Sequence, residues 1–407
     1  MQQEFKIGSF TAKELIEKFG SPLYVYDENT IRTRYRELKE SIETIENKKI
    51  LYACKANSNV EIIKVLKEEG AGMDVVAPGE VYTCLKAGVS NEEILFTGNN
   101  MTNEELDYAV KEGVILNIGD LSTLERYGEK YPNTSVCVRI NPDVGGGHHH
   151  HVITGGVESK FGIYFTDVPE ILKISEKYNV IIKGIHQHIG SNILDENTFL
   201  SAVDVLLKSA KELPDLDFID FGGGLGIPYE PGEKRLNLIE LNKKVAANFK
   251  NFCQEYGKEV EFWIEPGRFL VGESGYLLTT VNTVKSNPSY KYAGTDSGFN
   301  HLVRPTMYGS YHEIVNTSNL NGDHEKVTIC GNICESGDIF ARDRVLPIIN
   351  EGDILAILNA GAYGYTMASN YNTRPLPAEV LVNGDQVRLI RRRETFEELL
   401  RNQIFGS

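Results

Sequence analysis

Short apolar runs rich in β-branched residues alternate with longer amphipathic stretches from about residue 48 to residue 268. The runs at 50–54, 73–77, 94–97, 114–118, 136–140, 181–188, 216–221 and 260–264 predict eight strands. Helical patterns fall between them at 59–69, 79–87, 103–111 and 199–213; in the last, apolar residues at 199, 203, 206, 207 and 210 keep close to a 3.6-residue period. Eight alternating units predict an α/β fold, a parallel (β/α)8 barrel. A doubly wound open sheet would have the same periodicity, because closure leaves no local mark. After residue 268 the long helices stop, and runs at 276–284, 326–330, 353–358, 378–382 and 386–389 predict a C-terminal β-rich domain. The run 22–26 is a further strand and a candidate to pair with that domain. The expected boundaries are 28–272 for the barrel and 273–407, with the N-terminal 1–27, for the β-rich domain.

The predicted strand ends carry unusual chemistry. Lys55 ends the first strand among Tyr52, Ala53, Cys54 and Ala56. Partial desolvation there would disfavour the ammonium form and suit Schiff-base chemistry. A lysine that snorkels to water is the plainer alternative. Asp74 lies in the second strand, His188-Ile189-Gly190-Ser191 closes the sixth, Gly222-Gly223-Gly224 follows the seventh, and Glu265-Pro266-Gly267-Arg268 follows the eighth. Barrel enzymes gather their catalytic groups at this end of the strands. The glycine run reads either as a tight turn or as successive open N–H groups that cradle a phosphate, and its place after strand seven favours the phosphate. Glu265 reads as a solvated loop carboxylate or as the partner of a protonated ring nitrogen. His188 reads equally as a ring-stacking group or as a structural histidine. Four consecutive histidines at 148–151 offer poor tetrahedral geometry, and no metal is expected.

Composition narrows the partners. The 407 residues carry 42 Lys and Arg against 57 Asp and Glu, a net charge of −15 that argues against nucleic acid or an anionic membrane. No apolar run is long enough to span a bilayer, and the polar N-terminus lacks a signal-peptide pattern. Six cysteines without paired CxxC spacing suit free thiols in the cytoplasm.

Taken together, YACKAN around Lys55, HIGS at 188–191, GGGLG at 222–226 and EPGR at 265–268 resemble the fold-type III pyridoxal-phosphate decarboxylases. The second domain extends the match with Arg304-Pro305, Tyr308, His312, Cys334-Glu335-Ser336, Asp338, Ala360-Gly361-Ala362-Tyr363-Gly364 and Tyr371-Asn372-Thr373-Arg374-Pro375. The full set is similar to the diaminopimelate decarboxylase branch, and it spans 22–382 in the family's order.

That resemblance implies a barrel holding pyridoxal 5'-phosphate and a β-domain completing the site, with sites shared across a homodimer. By resemblance Lys55 binds the cofactor covalently, His188 stacks on its ring and Glu265 pairs with its ring nitrogen. Asp74, Ser191, Gly222, Gly223, Gly224, Gly267, Arg268 and Tyr363 complete the cofactor set. Arg268, Arg304, Tyr308, Glu335 and Tyr363 would hold the substrate, and Cys334 would be the proton donor. The expected reaction is decarboxylation of meso-2,6-diaminopimelate to L-lysine. A distal amino-acid group calls for cations and an anion, here Arg268, Arg304 and Glu335; ornithine and lysine decarboxylases resemble a pattern with Asp, not Glu, after the cysteine. Another decarboxylase of this fold, an amino-acid racemase and a catalytically dead regulatory homologue are the alternatives. The last should have lost the lysine or the glycine run, and both are present. Asn332 stands where the family usually has proline, leaving the geometry of that loop open.

Overall fold

The computed structural model describes residues 4–147, 154–156 and 158–405. The histidine run 148–151 lies outside them. The chain folds into two compact units, one made of Arg32–Pro228 and Lys234–Leu270, the other of the chain before Arg32 and after Leu270 together with Tyr229–Glu233.

The first unit is a closed barrel. Its strands are β1 (Lys48–Ala53), β2 (Gly72–Val75), β3 (Ile94–Thr97), β4 (Ile115–Ile118), β5 (Ser135–Asn141), β6 (Ile181–Gln187), β7 (Phe218–Asp220) and β8 (Glu261–Ile264). Each pairs in parallel with the next. Closure comes from β8 pairing with β1 through Phe262↔Lys48, Trp263↔Lys49 and Ile264↔Ile50. The open-sheet alternative is thereby excluded. Leu51, Leu95, Cys137 and Phe218, from β1, β3, β5 and β7, pack in one buried cluster with Trp263. Residues from alternate strands fill a barrel layer in this way, so the interior is packed and not a pore.

Local signals start the surrounding helices. Asn59 caps α1 (Val60–Glu69) by accepting the Glu61 N–H at 3.0 Å. Thr102 and Glu105 form a capping box on α2 (Asn103–Glu112). Asp195 caps α3 (Glu196–Ala210), which therefore begins three residues before the apolar period that predicted it.

In the second unit, β9 (Gly275–Ser286) pairs antiparallel with β10 (Lys291–Thr295), with β14 (Ile354–Ile357) and with the N-terminal strand Leu23–Asp27. Leu23–Asp27 also pairs in parallel with β15 (Ala378–Asn383), which continues antiparallel into β16 (Gln386–Arg391). The remaining strands of this sheet are β11 (Ile314–Asn316), β12 (His324–Cys330) and β13 (Ile339–Pro347). Three strands of this nine-stranded sheet escaped the sequence pattern: β10, β11 and β13. The β13 segment holds Arg342, Asp343 and Arg344 at its centre and ends the sheet order, so no apolar run announces it. The core of this unit joins Leu23 and Val25 to Leu278, Ala356 and Val380.

Candidate active site

Strand β1 ends one residue earlier than its apolar run, and Lys55 sits in a short 3-10 turn, Cys54–Ala56, just beyond it. Parallel pairing sets Ala53 opposite Asp74 on β2, which brings the Lys55 Nζ to 2.6 Å from the Asp74 Oδ2. The Lys55 side chain is 28% exposed and that of Asp74 is fully buried. An adjacent carboxylate favours the ammonium form. Desolvation of the amine, the sequence expectation, is therefore opposed by an ion pair the sequence did not reveal. Burial and the charge of Glu265 push the Asp74 carboxyl upward, while Lys55 pulls it down.

Glu265 follows β8 and is 2% exposed. Burial alone would raise its carboxyl. The charge and hydrogen bond of His186 outweigh burial, with Lys55 and His188 adding to them, and hold Glu265 well below the usual carboxylate range. His186 lies on β6, is fully buried and donates from Nε2 to Glu265 Oε2 at 2.9 Å. The other carboxylate oxygen, Oε1, is buried and has no protein donor.

His188, two residues on, is held differently. Its Nδ1 accepts the Gly223 N–H at 3.1 Å, so its own ring proton is on Nε2. Burial, then the nearby cations Lys55 and Arg139, lower its basicity well below the ordinary histidine value. Arg139 on β5 donates to the His188 carbonyl at 3.2 Å and lies over the Phe161 ring. Burial lowers Arg139 to about 10, which leaves it cationic.

The glycine turn after β7 is less open than its sequence suggests. Gly222 donates its N–H to Asp220 Oδ1 at 2.8 Å, and Gly223 spends its N–H on His188. Two of the three amides thus build the site's own framework. The turn also needs glycine for space: Gly222 has φ +72°, and a Cβ on Gly223 would collide with the Glu265 carbonyl oxygen. Arg268 Nη2 donates to Ser191 Oγ at 2.9 Å, tying the ends of β6 and β8 together. Gly267 packs on Ala53 and Ala56, beside the turn that holds Lys55.

Sequence reasoning assigned no role to His186, Asp220 or Arg139, although all three are buried polar groups of this mouth. A signal was present for two of them. Side chains two apart on a strand share a face, so His186 accompanies His188 inward, and Asp220 stands between the apolar Ile219 and Phe221 just before the glycine turn.

The remaining predicted residues belong to the β unit. Arg304 is only 1% exposed; its Nη1 faces His312 Nε2 at 3.0 Å, Nη2 donates to Ser310 Oγ at 3.3 Å, and the guanidinium lies over the Tyr229 ring. Tyr308 is half-buried, while Cys334 and Glu335 are exposed. Their loop is organised by Asp338, which accepts the N–H groups of Phe299 and Ile333 at 2.7 Å each. The Cys334 N–H is held by Asn372 Oδ1 at 2.8 Å. Tyr363 has φ +56°, a left-handed conformation that costs an aromatic residue energy and is concentrated at functional sites.

Residues 28–272 match the family described as pyridoxal-dependent decarboxylase, pyridoxal binding domain. The diaminopimelate decarboxylase of Methanothermobacter thermautotrophicus is 48% identical over 98% of this chain and 95% of its own. Among solved structures, diaminopimelate decarboxylase from M. jannaschii in complex with L-lysine superposes with a TM-score of 0.93 at 34% identity, covering 100% of this chain and 97% of that one. The Helicobacter pylori enzyme complexed with L-lysine gives 0.88 at 33% identity, covering 96% and 98%.

Proposed function

Because this chain belongs to the diaminopimelate decarboxylases, within the pyridoxal-dependent decarboxylase family, we propose that it converts meso-2,6-diaminopimelate to L-lysine and CO2. The observation that carries the proposal is the convergence of Lys55 and an ionised, buried Glu265 at one barrel mouth. Glu265 Oε1, buried without a protein donor, suits a protonated ring nitrogen, and Lys55 beside it offers an amine for a carbonyl. These features fit pyridoxal 5'-phosphate.

When bound, that group supplies an electron sink for the pair released as the carboxylate leaves. Lys55 would hold it covalently, and Asp74 orients the amine. His188, its ring pinned by the Gly223 N–H, presents a fixed flat face. Glu265, by remaining a carboxylate, would keep the ring nitrogen protonated. Ser191, Gly222, Gly223, Gly224, Gly267 and Arg268 would surround the phosphate, with Tyr363 adding a hydroxyl. For the substrate's distal group we assign Arg304, Arg268 and Tyr308 to the carboxylate and Glu335 to the ammonium. Cys334 would return a proton to the α-carbon as a general acid. Sites shared across a homodimer are part of the same proposal. Six free cysteines support a reducing cytoplasm, and no described helix is long and apolar enough to cross a membrane.

Visible absorption of the purified protein tests the cofactor assignment. Wild type should carry the band of lysine-bound pyridoxal phosphate, and Lys55→Ala should lack it; identical spectra would sink the assignment. Turnover compared across diaminopimelate, lysine and ornithine tests the substrate, and preference for either of the latter two would reject it. Mixing Lys55→Ala with Cys334→Ala should restore part of the activity if sites are shared between copies.

A further inference from the structure

Three side chains meet at the ends of β6, β7 and β8. His186 on β6 and Asp220 on β7 are register partners across the parallel ladder, and Glu265 follows the neighbouring β8. All are at most 2% exposed, and one nitrogen or oxygen from each lies within 4.8 Å of the others. Two carboxyl groups this close in a buried site cannot both ionise cheaply.

The hydrogen-bond pattern says which one holds the proton. Glu265 accepts from His186 Nε2. Asp220 Oδ1 accepts the Gly222 N–H, but Asp220 Oδ2 is buried with no donor reaching it. An oxygen without a donor is explained if it is itself the donor, and the neighbouring carboxylate is the acceptor in reach. Burial raises the Asp220 carboxyl well above its ordinary value, and Glu265 and then Asp74 push the same way. Cys137, also close to Asp220, is held as a neutral thiol by its burial.

We propose that Asp220 is a neutral carboxylic acid whose Oδ2–H donates to Glu265, fixing Glu265 as the carboxylate that faces the ring nitrogen. A carboxylate offers about four lone-pair sites, so Glu265 can accept from His186 and Asp220 and still meet the ring. Asp220 is then a positioning residue acting through Glu265. Its effect on the ring rests on the proposed function; the proton itself does not.

Infrared difference spectra of full-length protein carrying 13C-carboxyl-labelled aspartate test the proton directly. Wild type at pH 8 should show a carboxylic-acid stretch that shifts in D2O and is missing from Asp220→Asn. No such band, or its survival in Asp220→Asn, would overturn the proposal. In turnover, Asp220→Ala should lower kcat by about tenfold, the loss of one buried charge-assisted hydrogen bond, with little change in KM. Asp220→Asn, which keeps a donor, should recover part of that loss. If Asn is as impaired as Ala, donation to Glu265 is not what Asp220 supplies. Stoichiometric metal in the purified protein would also overturn the idea, by placing a cation where the proton is assigned. Should wild type lack the visible cofactor band yet keep the infrared band, the function fails and the Asp220 proton stands.

Discussion

Asn332 occupies a position where its own N–H matters. It donates to the Ser297 carbonyl at 3.0 Å, while the Asn332 carbonyl accepts from Arg374 at 2.8 Å. Proline, usual in the family here, could not make the first bond. Asn332→Pro should therefore lose about 1 kcal/mol of stability, read as a lower denaturation midpoint; an unchanged or higher midpoint would show that the bond contributes nothing. Gly223 is constrained by its neighbours. A Cβ there meets the Glu265 carbonyl, so Gly223→Ala should cost about 1–3 kcal/mol through overpacking. The same shift should weaken cofactor retention, seen as a smaller visible band after dialysis; full retention would mean that the turn relaxes without moving Glu265.

Among elements, Leu23–Asp27 has the largest leverage for its length. It is buried from Leu23 to Tyr26 and pairs on one edge with β9 and on the other with β15. Deleting residues 1–27 would open the middle of the sheet and expose two unpaired edges, which template aggregation. The truncated chain should be recovered aggregated, and a monodisperse, cooperatively melting product would contradict this. Helix starts are cheaper to perturb. Thr102→Ala removes one half of the capping box on α2 and should cost about 1 kcal/mol by denaturant titration.

At the scale of the whole molecule, acid stability has an identifiable contributor. His301 in the β unit donates from Nε2 to the Pro375 carbonyl and accepts from Ser297 at Nδ1, a neutral ring bonded at both nitrogens. Burial, with smaller help from Arg393 and Arg374, lowers it from 6.5 to about 4, against the Pro375 bond. Its folded value is depressed, so the unfolded chain takes up the proton first. The stabilisation is complete above pH 6.5 and is lost as pH falls toward 4, in all roughly 3 kcal/mol. Melting temperatures across that window should fall less steeply for His301→Asn than for wild type; parallel slopes would remove His301 from the account.

The alternation of apolar runs and amphipathic stretches determined the eight barrel strands, and glycine, proline and charged punctuation marked their chemically loaded ends. Those are local properties, set within a few residues, and they sufficed for Lys55, Glu265 and the glycine turn. Strands such as β13 were hidden because their exposed faces are charged. Only the tertiary structure closed the barrel, since the β8–β1 pairing joins segments that share no local pattern. It alone decided that His186, and not His188, binds Glu265 across 79 residues of chain, that two glycine amides serve Asp220 and His188, and that Lys55 meets Asp74. Pairings of this kind depend on register between distant strands, and register is fixed by packing the whole core.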